Sequence, residues 1–155
     1  MVEKNKNQQN QQKETMVEIL SFQIGKQEFA IDVDSVELVI ERTEITPVPN
    51  SRMFIEGVMN LRGRIVPVVD LTRLISIEVE PDNTFENVLI VKQNGTEVGF
   101  FVNEVREVIN TSESDIDTGA RTDQYDQKVK GIVQRGKRLI LFLDIEEILR
   151  ACEGI

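Results

Sequence analysis

Two small β-barrels made by duplication of one module, with a short helix at the C-terminal end, are the fold the sequence predicts. Three observations predict it. The chain of 155 residues repeats itself in two ordered blocks. Its apolar runs are short and are joined by hairpin signals. Aromatic content is 5%, with no Trp and one Tyr, so a core must rest on Val, Ile and Leu, and the β-branched members of that set favour strands.

The repeat organises everything else. LSFQIGKQEFAIDVDSVELVI, Leu20 to Ile40, aligns without a gap with LIVKQNGTEVGFFVNEVREVI, Leu89 to Ile109. Leu20 meets Leu89, Val33 meets Val102, Val36 meets Val105 and Val39 meets Val108. GVMNLRGRIVPVVDLTRLI, Gly57 to Ile75, aligns equally well with GIVQRGKRLILFLDIEEIL, Gly131 to Leu149. Here Gly57 meets Gly131, Ile65 meets Leu139 and Asp70 meets Asp144. Each module is close to the lower size limit for independent stability, so the two must share an apolar interface.

Taken in order, residues 1–14 are polar and Asn/Gln-rich, with nothing to bury, and are expected to form a disordered tail. They lack the apolar centre of a secretory signal, which places the chain in the cytoplasm. The domain then runs over 15–155. Leu20, Phe22 and Ile24 alternate with Ser21 and Gln23, which predicts a strand with one buried face. GKQE turns the chain into a second, antiparallel strand over Phe29, Ile31 and Val33, and Asn94-Gly95 marks the equivalent turn in the second copy. Asp34, with Glu37 three residues on, predicts a capped single helical turn before a strand over Val36, Leu38 and Ile40. Ile45 to Asn50 carries Pro47 and Pro49 and cannot be a central strand.

Val58–Leu61 and Arg64–Val69 then form a second hairpin, repeated around QRGK in the second copy. Each copy ends in an Asp that caps a short helix: Asp144, with Glu147, caps Ile145, Ile148 and Leu149. The helix after Asp70 should be the shorter of the two. EVEPDNTFEN, Glu78 to Asn87, is the linker. These boundaries put the first barrel at about 17–75, the second at about 86–143 and the C-terminal helix at about 144–152.

Composition removes several functions. A net charge of −9 repels phosphate backbones and anionic membrane surfaces. No apolar run is long enough to span a bilayer. There is no histidine, which excludes histidine-based triads, histidine metal sites and a histidine phosphoacceptor. Cys152 lies near the chain end without a base, as a structural thiol does. Glu113 to Asp126 is acidic but lacks the glycine and terminal glutamate of a calcium loop. The expectation is therefore no catalytic residues, no metal and no cofactor.

Arg62 stands apart, a cation at the junction of two apolar runs. Its equivalent in the second copy is Gly136. It is either a solvated turn residue or, beside Leu61 on a rigid hairpin, part of a protein-binding surface.

FIEGVMNLRGRIVPVVDL, Phe54 to Leu71, is similar to the signature of the CheW-like coupling proteins of bacterial chemotaxis. EFAIDVDSVELVI, EVGFFVNEVREVI and KGIVQRGKRLILFLDIEEIL also resemble that family, so the likeness extends in order from Val17 to Leu149. It implies two intertwined five-stranded barrels of SH3-like type and a non-enzymatic adaptor. It implies as partners the cytoplasmic tips of methyl-accepting chemoreceptors and the regulatory domain of the histidine kinase CheA, with the chain held in receptor arrays at the inner face of the membrane. Carried over by position, it puts Val36, Leu38, Asn60, Leu61 and Arg62 where receptor helices are contacted. Many relatives carry an acidic residue at the place of Leu38.

The kinase-facing surface is expected on the second barrel, among Ile90, Val98, Phe100, Phe101 and Val102, with alternation turning about half of them outward. A kinase of its own would need a phosphoacceptor histidine and an ATP-binding domain, and these residues supply neither. The competing readings are a small β-barrel interaction module outside chemotaxis, a carboxylate-based enzyme and an SH3-like binder of proline-rich peptides. The scarcity of aromatic residues weighs against the last.

Overall fold

The computed structural model describes residues 15–119 and 127–153. The expected N-terminal tail lies outside the described residues, as does the 120–126 part of the acidic stretch.

Eleven strands follow in order among the described residues. They are β1 (Met16–Ile24), β2 (Gln27–Asp32), β3 (Val36–Glu41), β4 (Ile55–Leu61), β5 (Arg64–Val69), β6 (Asn87–Gln93), β7 (Thr96–Val102), β8 (Glu104–Ser112), β9 (Ile116–Asp117), β10 (Val129–Arg135) and β11 (Arg138–Leu143). Helix α1 (Leu71–Leu74) follows β5 and helix α2 (Ile145–Ala151) follows β11. The helix after Asp70 is the shorter, as the sequence predicts. Asp70 Oδ1 accepts from the N–H of Thr72 at 2.9 Å, and Asp144 Oδ1 from that of Glu147 at 3.2 Å. Both aspartates are caps that satisfy orphan donors.

The strands form two sheets, ordered β8-β1-β2-β11-β10-β9 and β3-β6-β7-β5-β4. This is the intertwined arrangement that the family resemblance implies: the ranges 17–75 and 86–143 follow the two copies along the chain, and sheet membership does not. The β1–β2 hairpin, from the first copy, lies in the sheet of β8 to β11, and β6–β7, from the second copy, lies between β3 and β5. Each hairpin has crossed to the other module, so the two halves are intertwined. The crossings are equivalent: β2 runs parallel to β11, with Ala30 opposite Phe142, and β7 runs parallel to β5, with Gly99 opposite Val68. The exchange buries each one on both faces.

Three apolar clusters result. Met59, Leu61, Val66, Val68, Val88, Ile90 and Phe101 fill one barrel. Ile19, Ala30, Ile109, Ile116, Val133, Ile140 and Phe142 fill the other. The largest lies between the sheets and includes Phe22, Phe29, Val69, Leu89, Val98, Phe100, Val102 and Leu143. It is the shared interface that two undersized modules require.

Local irregularities repeat along with the strands. The register of β4 against β5 slips between Ile55 and Gly57, and that of β10 against β11 between Val129 and Gly131. β3 carries an extra residue, Glu37, between Val36 and Leu38. β8 carries its own in the corresponding stretch, opposite the Leu20–Phe22 step of β1. Bulges of this kind bend a strand and re-aim a side chain.

One local expectation fails. The 3-10 turn here is Val33–Ser35, preceded by Asp32, and no side chain caps it. Asp34 lies inside the turn, and Glu37 reaches Arg64 instead. Between Ile45 and Asn50 there is no strand; a single bridge joins Thr46 to Val58.

Candidate protein-interaction surface

The β4–β5 hairpin closes with Leu61 opposite Arg64, leaving Arg62 and Gly63 as a two-residue loop. Their φ values are +53° and +84°, the pair of left-handed residues that a type I′ turn needs to match strand twist. Asn60 holds the turn through Oδ1, which accepts from the N–H of Gly63 at 2.9 Å. Gly136 has nearly the same φ, +61°, at the equivalent place in the other sheet. One module therefore puts Gly where the other accepts a left-handed arginine. A side chain there costs of order 1 kcal/mol.

The guanidinium of Arg62 is exposed and has no hydrogen bond or ion pair among the described residues. Arg64, two residues on, is engaged through Nε and Nη2. Its Nε and Nη2 donate to Glu97 at 3.1 and 2.9 Å in a two-pronged fork, and Nη2 reaches Glu37 at 3.5 Å. Glu37 and Glu97 also meet each other. The neighbouring Glu97 carboxyl pushes that of Glu37 up, whereas Glu37 and Arg64 hold Glu97 down. Glu37 is thus the member that takes up a proton first.

The structure brings the expected receptor residues to one end of this barrel, but not all face outward. Asn60 and Arg62 are exposed, Leu61 is buried, and Val36 and Leu38 are half-buried. Leu61 points inward with Met59, because alternation puts Asn60 outside. Leu38 packs against the same cluster, while Val36 packs against the intersheet core.

The expected kinase-facing group needs a larger correction. Ile90, Val98, Phe100, Phe101 and Val102 are all buried, and none offers a surface. Alternation on β6 and β7 does not separate inside from outside. It assigns Ile90 and Phe101 to the barrel and Val98, Phe100 and Val102 to the intersheet core. The signal was the unbroken apolar runs VLIV and VGFFV, which mark strands covered on both faces. These strands also lie in the sheet of β3 to β5, not in that of β8 to β11. Phe101 is covered further by the stacked ring of Phe85 and by Arg42, 4.8 Å from its centre.

The large apolar side chains that do reach solvent include two equivalent pairs. Ile65 and Leu139 are 65% and 54% exposed, and Val39 and Val108 are 41% and 49% exposed. The two-pronged ion pairs are equivalent too, although the second carboxylates, Glu37 and Glu107, stand one position apart in the repeat. Arg138 forks onto Glu28 and reaches Glu107 at 2.9 Å, as Arg64 does onto Glu97 and Glu37. Sequence reasoning missed this brace, although Arg64/Arg138 and Glu28/Glu97 are identical across the repeat.

Cys152 is buried, which pushes its thiol up to about 11 and keeps it protonated.

Glu28 gives a pH signature. Hydrogen bonds from Arg138 hold its carboxyl below the usual range despite burial. A depressed folded value means that its stabilisation is complete above the unfolded value, near 4.5, and is lost as pH falls through the folded one. Urea unfolding measured between pH 7 and 3 should show a smaller loss of stability on acidification in Glu28→Gln than in wild type. Equal slopes would remove Glu28 from the acid transition.

Among the described residues no helix is long and apolar enough to cross a membrane, and no cluster of His, Cys, Asp and Glu forms a metal site.

Against known proteins, residues 18–153 match the family model described as the CheW-like domain. The chemotaxis protein CheW of Thermotoga maritima is 43% identical over 132 residues, which are 85% of this chain and 87% of that protein. The protein of the same name from Bacillus subtilis is 30% identical over 133 residues, 84% of this chain and 85% of that protein. The crystal structure of the scaffolding protein TtCheW from Thermoanaerobacter tengcongensis superposes with a TM-score of 0.75 at 28% identity, covering 84% of this chain and 86% of that one. With the family model spanning nearly all of the described residues and the intertwined pair of sheets matching a solved scaffold, the chain belongs to the CheW-like domain family.

Proposed function

We propose that this chain is a non-enzymatic adaptor that couples methyl-accepting chemoreceptors to the histidine kinase CheA, working at the cytoplasmic face of the membrane. Arg62 is the observation that carries the receptor contact. It is a guanidinium without a partner among the described residues, held by a tight turn in a backbone conformation that the equivalent turn gives to Gly136. Strain retained where glycine would serve points to use of the side chain. A receptor tip is a helical hairpin, whose carboxylates or terminal carbonyls suit a planar fork. Asn60 sets the turn, and Val36 and Leu38 supply the partly covered apolar margin. The kinase regulatory domain meets the other sheet, where Leu139 and Val108 flank the Arg138–Glu107 pair in sequence.

Titration calorimetry against a receptor cytoplasmic fragment and the isolated kinase regulatory domain tests this. Arg62→Glu should weaken receptor binding by about 1–3 kcal/mol and spare the kinase domain. Its unfolding free energy should stay within roughly 0.5 kcal/mol of wild type. Arg62→Gly should lose receptor affinity while keeping or gaining up to about 1 kcal/mol of stability, because the left-handed strain goes. Leu139→Asp should do the reverse to the partners. Unchanged receptor binding by both Arg62 variants would return the residue to a solvated turn.

A further inference from the structure

Two arginines flank Gly63, and they are used differently. Arg62 has no partner among the described residues, whereas Arg64 ties three strands together. Arg64 belongs to β5, Glu97 to the neighbouring β7 and Glu37 to β3. β3 and β5 share no backbone hydrogen bonds, because β6 and β7 lie between them in the sheet. The Arg64–Glu37 contact therefore crosses the mouth of the curled sheet and joins its two sides. Glu37 is available for it because it is the extra residue of the β3 bulge, with Val36 on one side and Leu38 on the other.

From this geometry we infer that Arg64 is a positioning residue for receptor recognition: it holds the hairpin that carries Arg62 at a fixed distance from the β3 segment that carries Val36 and Leu38. The inference rests on the receptor-contact reading above.

Stability alone is a poor account of the brace. The Arg64 side chain is 51% exposed, and ion pairs at such exposure contribute little to folding. The two-pronged geometry, by contrast, fixes direction as well as distance, which a single charge does not. The same brace on the other sheet, Arg138 to Glu28 and Glu107, holds a hairpin whose turn has no arginine at the left-handed position. The brace is thus a property of the module, and the first hairpin adds to it a cation that benefits from being held.

The experiment compares Arg64→Ala, Arg64→Lys, the swap Arg64→Glu with Glu97→Arg, Arg138→Ala and Arg62→Glu. Each is titrated against one receptor cytoplasmic fragment and the kinase regulatory domain, with melting followed in parallel. Arg64→Ala should weaken receptor binding by about tenfold, the scale of a lost charge-assisted contact, with kinase binding unchanged. Arg64→Lys should recover part of the loss, and so should the swap. Arg138→Ala should leave receptor affinity at wild type. If Arg62→Glu weakens the receptor and Arg64→Ala does not, the positioning role is wrong and the receptor surface stands. If Arg64→Ala weakens both partners alike, or only as far as the folded fraction falls, the brace is merely structural. If Arg62→Glu is silent, the receptor surface fails and this inference fails with it.

Discussion

Phe100→Ala is expected to cost about 3–5 kcal/mol of stability, and Phe100→Asp to leave no folded protein at neutral pH. Phe100 is completely buried in the intersheet core, opposite Leu89 on β6 and Val69 on β5. Truncating a buried Phe loses its transfer free energy and leaves a cavity that packed neighbours fill only partly. A domain of this size has roughly 5–15 kcal/mol in total. An uncompensated carboxylate at the same place adds a desolvation penalty that the remainder cannot offset. Urea unfolding followed by circular dichroism checks the first variant, and solubility with one-dimensional NMR dispersion checks the second. A folded Phe100→Asp that had lost only kinase binding would restore this residue to a surface role, against its burial.

That outcome bears on what was legible in the sequence. The repeat, the hairpins and the two capping aspartates were legible because each depends on neighbours in the chain. Alternation tells which side of a strand a residue faces, and turn residues tell where it reverses. Neither tells which sheet a hairpin joins. β1–β2 and β6–β7 carry one pattern, so their exchange between sheets leaves no local mark, and the intertwining was legible only through the family resemblance.

The same ambiguity misplaced Val98, Phe100 and Val102. A residue that alternates outward from one barrel can still be covered by the other. Arg62 was legible as an oddity, and its left-handed backbone follows from the two-residue loop that Asn60 and Gly63 build. The brace from Arg64 to Glu37 was not, because it needs both the exchanged β7 and the bulge in β3.

Gly57→Ala should be the most damaging of the glycine substitutions, costing about 2–4 kcal/mol, within the range reserved for backbone strain and overpacking. Gly57 has φ of +153°, and a Cβ built there would stand 2.3 Å from the carbonyl oxygen of Thr46 and 2.8 Å from its carbon. Neither atom can move away cheaply. Thr46 and Val58 exchange backbone hydrogen bonds of 2.8 and 2.9 Å, and this bridge is what closes the outer side of β4. Gly131, its repeat equivalent, provides the control. A Cβ there meets the Cγ2 of Ile116 at 2.5 Å, a side-chain methyl, and the position carries no left-handed φ. Gly131→Ala should therefore cost less, about 1–2 kcal/mol, because Ile116 can shift. The ranking is the test, read from urea midpoints of the two variants under one condition. If Gly131→Ala proved the worse, the tight approach of Thr46 to β4 would not be what this glycine protects. Because β4 leads directly into Asn60 and Arg62, Gly57→Ala should also weaken receptor binding in whatever fraction stays folded, while kinase-domain binding through the other sheet follows the folded fraction alone.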